Sequence, residues 1–421
     1  MHVPNDSTYL YRVKGYWEAI QPDYLEAIAM EQLGKDNQVR AGRCSELRKL
    51  VQLKCLISLE RKLNERNGYI NLQNGMLHVE TREIHPHNKD HLSTIQIPVK
   101  YSEKAICPRW IQFLDEIFED DEERINLVQE FMGYVLVPET RYEKALLMVG
   151  EGANGKSTLL GTWEHMIGRG NFCSVTLGNL QNEFHRVRLH GKLLNIAAEV
   201  RATTLEQADY FKRIVTGDTI DAAHKHKPVF HFQPFARLVF AMNRMPRIRD
   251  TSHGFYRRLL IVPFNRVFTE EEQDRQLRQK LIEETDGIFQ WALRGLDRLY
   301  DNDAFTEPQV VREALAAYQR ANNPVVAFVE DCCILSSDAS TSKNDLYGEY
   351  KQYCEDYGFK PASLSTFFKE LYGAYPNLTA RRPRAGEGRE QVVEGILITD
   401  PAVEKDTANT ERDEEEGQLF L

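Results

Sequence analysis

The residues best placed to do chemistry form one short segment, Gly150-Glu-Gly152-Ala-Asn154-Gly155-Lys156-Ser157-Thr158. Glycines at this spacing let backbone N–H groups curl around a phosphate, and a helix opening at Lys156 points its partial positive end at the same place. The lysine would reach the β- and γ-phosphates of a nucleotide, and the Ser157 hydroxyl would sit on Mg²⁺. Context strengthens the pattern: the apolar run Ala145–Val149 leads straight into it, and Leu159-Leu160 opens an apolar helix behind it. The segment alone does not separate a kinase, a GTPase and a motor.

Three downstream features, the last a pair of arginines, narrow the choice. The apolar run Leu193–Ala198 ends at Glu199, and an acid at a strand tip beside a phosphate loop can polarise a water or hold Mg²⁺ through water. The run Leu238–Met242 ends at Asn243, whose amide can bond the γ-phosphate or the attacking water. Arg257 and Arg258 precede the run Leu259–Val262, and an arginine lent by a neighbouring subunit can stabilise the charge of phosphoryl transfer. Each has a plainer reading: a strand-end carboxylate, a turn-forming Asn before Arg-Met-Pro, a pair of surface arginines. Their weight lies in their order. Successive key positions from Lys156 are 43, 44 and 14 residues apart, which suits strands of one α/β unit.

Such strands need a sizeable scaffold. The chain has 421 residues, 42% hydrophobic and 28% charged, enough for two to three domains with real cores. No apolar run approaches the roughly 20 residues that span a bilayer, and the N-terminus lacks a signal-peptide pattern. Seven cysteines without a Cys-x-x-Cys pair argue against a disulfide framework or a cysteine zinc site and for a reducing, cytoplasmic setting. The net charge of −10 speaks against a polyanionic partner until it is located. Residues 402–421 hold seven acids and two bases, half of the excess, while bases cluster at 224–227 and 381–389.

Residues 1–66 read as a helical N-terminal segment, with apolar positions at helical spacing from Leu47 to Ile57. Residues 67–140 read as a hairpin turning at Asn74-Gly75, then two amphipathic helices, Arg109–Phe118 and Glu122–Val137. Residues 141–300 alternate strands, helices and glycine turns, an α/β core. Residues 301–400 read as helices closed by a strand, Gln391–Ile398, and residues 401–421 as an acidic, disordered tail.

The ordered set resembles the superfamily 3 helicases, most closely the helicase half of phage, plasmid and poxvirus primase–helicases, over roughly residues 67–400. The likeness is carried by Gly150–Thr158, Glu199, Thr216-Gly-Asp218, Phe232-Gln-Pro234, Asn243-Arg-Met-Pro246, Tyr256-Arg-Arg-Leu259 and Pro263-Phe264. Asn74-Gly-Met, Cys107-Pro-Arg-Trp-Ile and Gln129–Tyr134 extend it upstream. The resemblance implies an AAA+-like P-loop ATPase core in a hexameric ring that binds ATP and Mg²⁺ between subunits. Lys156, Ser157, Glu199 and Asn243 would come from one subunit and Arg257 from the next, with Arg258 in reserve. It implies ATP-dependent unwinding of duplex DNA with 3′-to-5′ polarity in phage or plasmid replication. The sequence departs from the family in two ways. Ala198 stands where many members carry a second acid, so Glu199 must serve alone. Only about 66 residues precede the shared region, with no Asp-x-Asp polymerase pattern or zinc motif, so the chain is expected to unwind and not to prime.

The resemblance also gives a role to His224-Lys225-His226-Lys227, which lies between Ile220–Ala223 and Val229–Phe232. It implies a hairpin in the ring channel, with Lys225, His226 and Lys227 on the phosphates of one strand. Six converging copies need few charges each. A solvated basic turn is the plain alternative. A metal site from His224, His226 and His231 would lack a carboxylate or Cys alongside. Farther on, helices at Asp345–Cys354 and Ser363–Leu371, a basic loop with Arg381, Arg382 and Arg384, and the closing strand resemble a C-terminal winged-helix domain with the loop as a DNA-contacting wing. The tail ending in Gly417–Leu421 is either a docking peptide for a replication partner or a solubilising segment. Expected partners are single-stranded and forked DNA and further copies of the chain, with no membrane. The rival expectation is an origin-binding initiator that melts DNA locally with weak processive unwinding.

Overall fold

A computed structural model of the chain describes residues 1–3, 8–34, 41–56, 63–65, 68–198, 208–248, 250, 252–381 and 391–399. They form two units, one from Met1–Pro246 with Arg258–Arg312, the other from Arg247–Arg257 with the chain from Glu313 onward.

The first unit is built on a five-stranded sheet in the order Leu259–Pro263, Ala145–Val149, Arg237–Met242, Leu194–Ala197, Phe172–Cys173. All neighbours run parallel, so their C-terminal ends share one edge. Parallel strands covered on both faces read as unbroken apolar runs. That is why Ala145, Leu146, Leu147 and Met148 are all apolar, and all are buried. The strand ending at Asn243 lies between the phosphate-loop strand and the strand that runs toward Glu199.

Helices cover this sheet. Pro108–Phe118 begins with Pro at its first turn, and the Glu284 carboxylate accepts the backbone N–H of Arg109 (3.0 Å) and Trp110 (2.9 Å). Glu122–Val135 starts at Asp121, whose side chain accepts the Arg124 N–H at 3.0 Å. It packs along Thr285–Asn302 at backbone distance. A Cβ at Gly133 would lie 2.5 Å from Ala292 O and Leu296 N, and one at Gly295 would lie 2.3 Å from Gln129 O. Within the same helix, buried Glu130 accepts Arg298 Nε at 2.6 Å and the N–H and hydroxyl of Thr306 at 2.7 Å each. The stretch Gln129–Tyr134 is thus packing and buried polar pairing. Gly133→Val is expected to destabilise the protein by about 1–3 kcal/mol through overpacking. An unchanged urea midpoint would contradict this contact.

Two expectations change. The N-terminal segment is not wholly helical: Thr8–Tyr11 pairs antiparallel with Trp17–Ile20 before helices Pro22–Gly34 and Ala41–Lys54. Tyr9, Tyr11 and Trp17 lie on the strands of this hairpin, and the turn closes through Gly15, which has φ +93° and donates its N–H to Arg12 O at 2.9 Å. The second hairpin, Tyr69–Leu72 with Gly75–His78, turns at Gln73-Asn74, one residue earlier than Asn-Gly pairing suggests. Gly75 is instead opposite Leu72 with φ +147°, where a Cβ would sit 2.5 Å from the His85 carbonyl of a third strand, Ile84–His85.

The second unit has helices Pro324–Cys332, Lys343–Asp356 and Leu364–Ala374 and an antiparallel sheet in the order Cys333–Ser342, Val392–Ile398, Thr379–Arg381. Ser363 caps the third helix through the Thr366 N–H. The aromatic stripe of Asp345–Cys354 faces inward: Tyr350 stacks on Phe367 at 4.4 Å between centroids, in a core with Phe328 and Leu371. The strand Cys333–Ser342 was not expected from sequence. It is an edge strand that opens Cys-Ile-Leu and continues through Ser, Asp, Ala and Thr, with Ile334 and Leu335 exposed, so no apolar alternation announces it.

Candidate functional site

The Gly150–Thr158 segment leaves the sheet edge between two neighbouring strand ends. Gly150 N–H bonds Met242 O at 3.2 Å, and Phe264 N–H bonds Val149 O at 2.7 Å. Its backbone turns through left-handed conformations at Ala153 (φ 56°) and Gly155 (φ 85°), then enters the helix Lys156–Ile167. Such turns gather N–H groups into an anion-binding concavity at a helix N-terminus. Two of the glycines are also required by packing. A Cβ would lie 2.3 Å from Phe264 O at Gly150 and 2.5 Å from Ile117 Cγ2 at Gly155, whereas at Gly152 it would meet open space.

Lys156 is mostly buried, and its ammonium donates to Gly150 O (2.6 Å), Glu151 O (3.0 Å) and Asn154 Oδ1 (3.0 Å). Burial lowers its pKa. A desolvated ammonium held among carbonyl dipoles at the mouth of an N–H cradle suits a polyphosphate, whose charge offsets the desolvation. Asn154, also buried, donates to Phe264 O at 3.4 Å and so holds Lys156 through its other amide atom. Ser157 is exposed at the helix start, with its hydroxyl available to Mg²⁺.

The remaining sequence-selected residues distribute as follows. Asn243 is exposed at the tip of the strand adjoining the phosphate-loop strand. Glu199 lies outside the described residues; its strand, Leu194–Ala197, is one place farther along the sheet. The two arginines separate. Arg257 is exposed at the end of the short helix His253–Tyr256 and belongs to the second unit. Arg258 is 9% exposed and bonds Thr216 Oγ1 at 2.9 Å and Glu143 Oε2 at 3.1 Å. Its guanidinium thereby ties the sheet to the C-terminal end of the helix Asp209–Thr216, which explains Thr216 within the Thr-Gly-Asp stretch.

Ile220–Ala222 and Phe230–Phe232 pair antiparallel, and the segment between them carries the basic tetrapeptide. Lys227 N–H bonds His224 O at 3.0 Å to close the turn, with His226 at φ 65°; His224, Lys225, His226 and Lys227 are all exposed. Three residues that sequence reasoning passed over brace this hairpin. Arg186, nearly fully buried, donates to Asp221 O (2.9 Å) and Asp221 Oδ2 (2.5 Å), and its guanidinium lies 3.6 Å from the centre of the Tyr210 ring. The Tyr210 hydroxyl donates to Asp221 Oδ1 at 2.6 Å, and these bonds with Arg186 hold the Asp221 pKa down against its burial. The partners are separated by up to 35 residues, so no local pattern could reveal them. Among the described residues no cluster of His, Cys, Asp and Glu could hold a metal ion, so a site from His224, His226 and His231 is not formed. Nor is any helix among them long and apolar enough to cross a membrane.

In the second unit Arg381 ends a strand and pairs with Glu394 at 2.7 Å. Arg382, Arg384 and the tail 401–421 lie outside the described residues.

Three family models match segments of the chain: "D5 N terminal like" over residues 8–119, a family of unknown function (DUF5906) over 148–258, and "Poxvirus D5 protein-like" over 320–401. A putative helicase, L207/L206, of Acanthamoeba polyphaga mimivirus is 22% identical over 333 residues, 70% of this chain and 33% of that protein. Putative helicase 121R of Invertebrate iridescent virus 3 is 24% identical over 306 residues, 63% of this chain and 32% of that protein. The chain therefore spans about a third of the length of these relatives. The apo structure of the NrS-1 C-terminal region shares the fold, with a TM-score of 0.55 at 15% identity, covering 91% of this chain and 93% of that one.

Proposed function

We propose that this chain, which belongs to the phage and viral primase–helicase family, is a subunit of a ring-forming, ATP-dependent DNA helicase with an AAA+-like core of the superfamily 3 type. The observation that carries this reading is a juxtaposition within one unit. The phosphate loop and Asn243 stand on adjoining strand tips, and the strand ending at Asn243 follows, four residues on, a braced hairpin with an exposed basic tip. A small-molecule phosphotransferase has no use for such a hairpin. A motor does, because a nucleotide-dependent shift at the strand tip can pass along the same segment to a group holding nucleic acid.

In this reading Gly150, Gly152, Asn154, Gly155 and Lys156 surround the ATP phosphates with Ser157 and Thr158, and Ser157 and Glu199 hold Mg²⁺. Bound Mg²⁺ neutralises charge on the β- and γ-phosphates. Asn243 orients the attacking water or the γ-phosphate. Arg257 acts on the nucleotide of the adjacent subunit. Arg258 is a positioning residue, supported by its burial and its bonds to Thr216 and Glu143. Lys225, His226 and Lys227 hold backbone phosphates. From Pro324 onward the second unit runs helix, strand, helix, helix, strand, strand, an order that supports a winged helix, with residues 381–389 as its wing on DNA.

The test is strand separation on a forked duplex. The double variant His226→Ala/Lys227→Ala is expected to lose unwinding and the stimulation of hydrolysis by single strands, each measured against the DNA-free rate of the same preparation. Unwinding at the wild-type rate by that variant would contradict the hairpin's role.

A further inference from the structure

The hairpin has two unlike faces. Directly opposed residues share a face, so Asp221 and His231 lie on one, and Ile220, Ala222, Phe230 and Phe232 on the other. The Asp221 face is taken up by Arg186 and Tyr210. On the other face three rings follow one another toward the tip. Phe232 and Phe230 are 5.8 Å apart between centroids with planes at 29°, and Phe230 and His224 are 6.0 Å apart at 17°. Burial falls along the series: Phe232 is 9% exposed, Phe230 is half-buried and His224 is exposed. His190 stands edge-on to both phenyl rings, at 5.0 and 5.5 Å, and so fixes their planes.

A series made only for packing would end where burial ends. This one continues to a ring in solvent, and it lines a groove of about 2250 Å³ whose walls carry Lys14, Lys100, Arg169, Lys192 and Lys227 against Glu18, Glu65 and Glu139, an excess of positive charge. Flat rings presented in register beside an excess of positive charge match a single nucleic-acid strand: each base offers a π-face, and its backbone follows the basic side chains of the groove wall, Lys14, Lys100, Arg169 and Lys192.

We propose that the Phe232–Phe230–His224 ladder is a base-stacking platform for single-stranded nucleic acid, with His224 as the ring that receives a base and the basic groove as the path of the adjoining backbone. This rests on the reading of the hairpin as a nucleic-acid grip and adds to it a contact that phosphate binding alone does not make. A grip on phosphates alone is blind to whether bases are present. Stacking is not, and it tolerates any sequence.

The experiment is fluorescence anisotropy on the full chain with labelled oligothymidylate and with an abasic strand of the same length, each over a range of salt. His224→Ala is expected to weaken oligothymidylate about tenfold, to leave the abasic strand unchanged and to keep the salt dependence. His224→Phe, which preserves a flat ring, is expected to retain binding. Lys227→Ala is expected to weaken both strands alike and to reduce the salt slope by about 0.7. If His224→Ala weakens both strands equally, or neither, the stacking platform is wrong even where Lys227→Ala behaves as expected. If Lys227→Ala also changes nothing, the hairpin reading falls with it.

Discussion

Arg257→Ala leaves nucleotide binding intact and slows ATP hydrolysis about 10³-fold or more. The expectation separates two functions that sequence cannot assign between adjacent arginines. Arg258 is buried against Thr216 and Glu143. Removing it would empty a buried position and break the bonds that join the sheet to Thr216 and Glu143, so its loss is a matter of stability. Arg257 is exposed, at the end of a four-residue helix in a different unit from the phosphate loop. A guanidinium that acts only when charge develops on the transferring phosphoryl contributes to the transition state and little to ground-state affinity. The change should therefore fall on kcat and not on KM. A fluorescent ATP analogue measures the binding, and steady-state phosphate release measures the rate. Loss of binding in parallel with rate would place Arg257 in the scaffold.

Lys156→Ala has the second large effect: hydrolysis falls by about 10²–10³-fold and nucleotide affinity falls with it. The Lys156 ammonium lies within hydrogen-bond reach of two loop carbonyls and the Asn154 amide oxygen, at 2.6–3.0 Å. Burial already disfavours its charged form. Phosphate oxygens supply the opposite charge that this position lacks, so the lysine interacts with both ground state and transition state. Its removal should raise KM as well as lower kcat, unlike the change at Arg257. Because alanine also frees the Gly150 and Glu151 carbonyls, Lys156→Arg is the control for loop geometry. It keeps the charge but not the compact three-way fit, and it should restore binding more than rate. A Lys156→Ala protein with normal turnover would remove the phosphate loop from the mechanism.

The glycine-rich loop and its strand were legible because their signals are local. Strand Ala145–Val149 is buried on both faces and so reads as an unbroken apolar run, and Gly150 and Gly155 beside it answer to contacts that exclude a Cβ. The basic hairpin was legible for a similar reason, with two short apolar-alternating segments about one polar turn. What escaped depends on partners far away in sequence. Arg186, Tyr210 and Asp221 look ordinary one at a time and acquire meaning only when 35 residues fold back. Gly75 looked like a turn residue because its requirement, the close approach of His85 O, comes from a third strand. Strand Cys333–Ser342 lacks apolar alternation because it is an edge with most of its residues exposed. Net charge says little about a partner for a simpler reason: it averages over the chain, whereas contacts depend on where charge is presented, as at the exposed tip His224–Lys227.

The central claim is that each ATP is hydrolysed by residues of two subunits in a ring that moves DNA. Mixing Arg257→Ala with Lys156→Ala protein over a series of ratios, and measuring hydrolysis in the presence of single-stranded DNA, tests it most directly. Either variant alone has an incomplete site at every interface. A mixed ring contains some interfaces with wild-type Lys156 on one side and wild-type Arg257 on the other, so activity should rise to a maximum at intermediate ratios. Hydrolysis that stays at the level of the separate variants at every ratio would contradict the shared site.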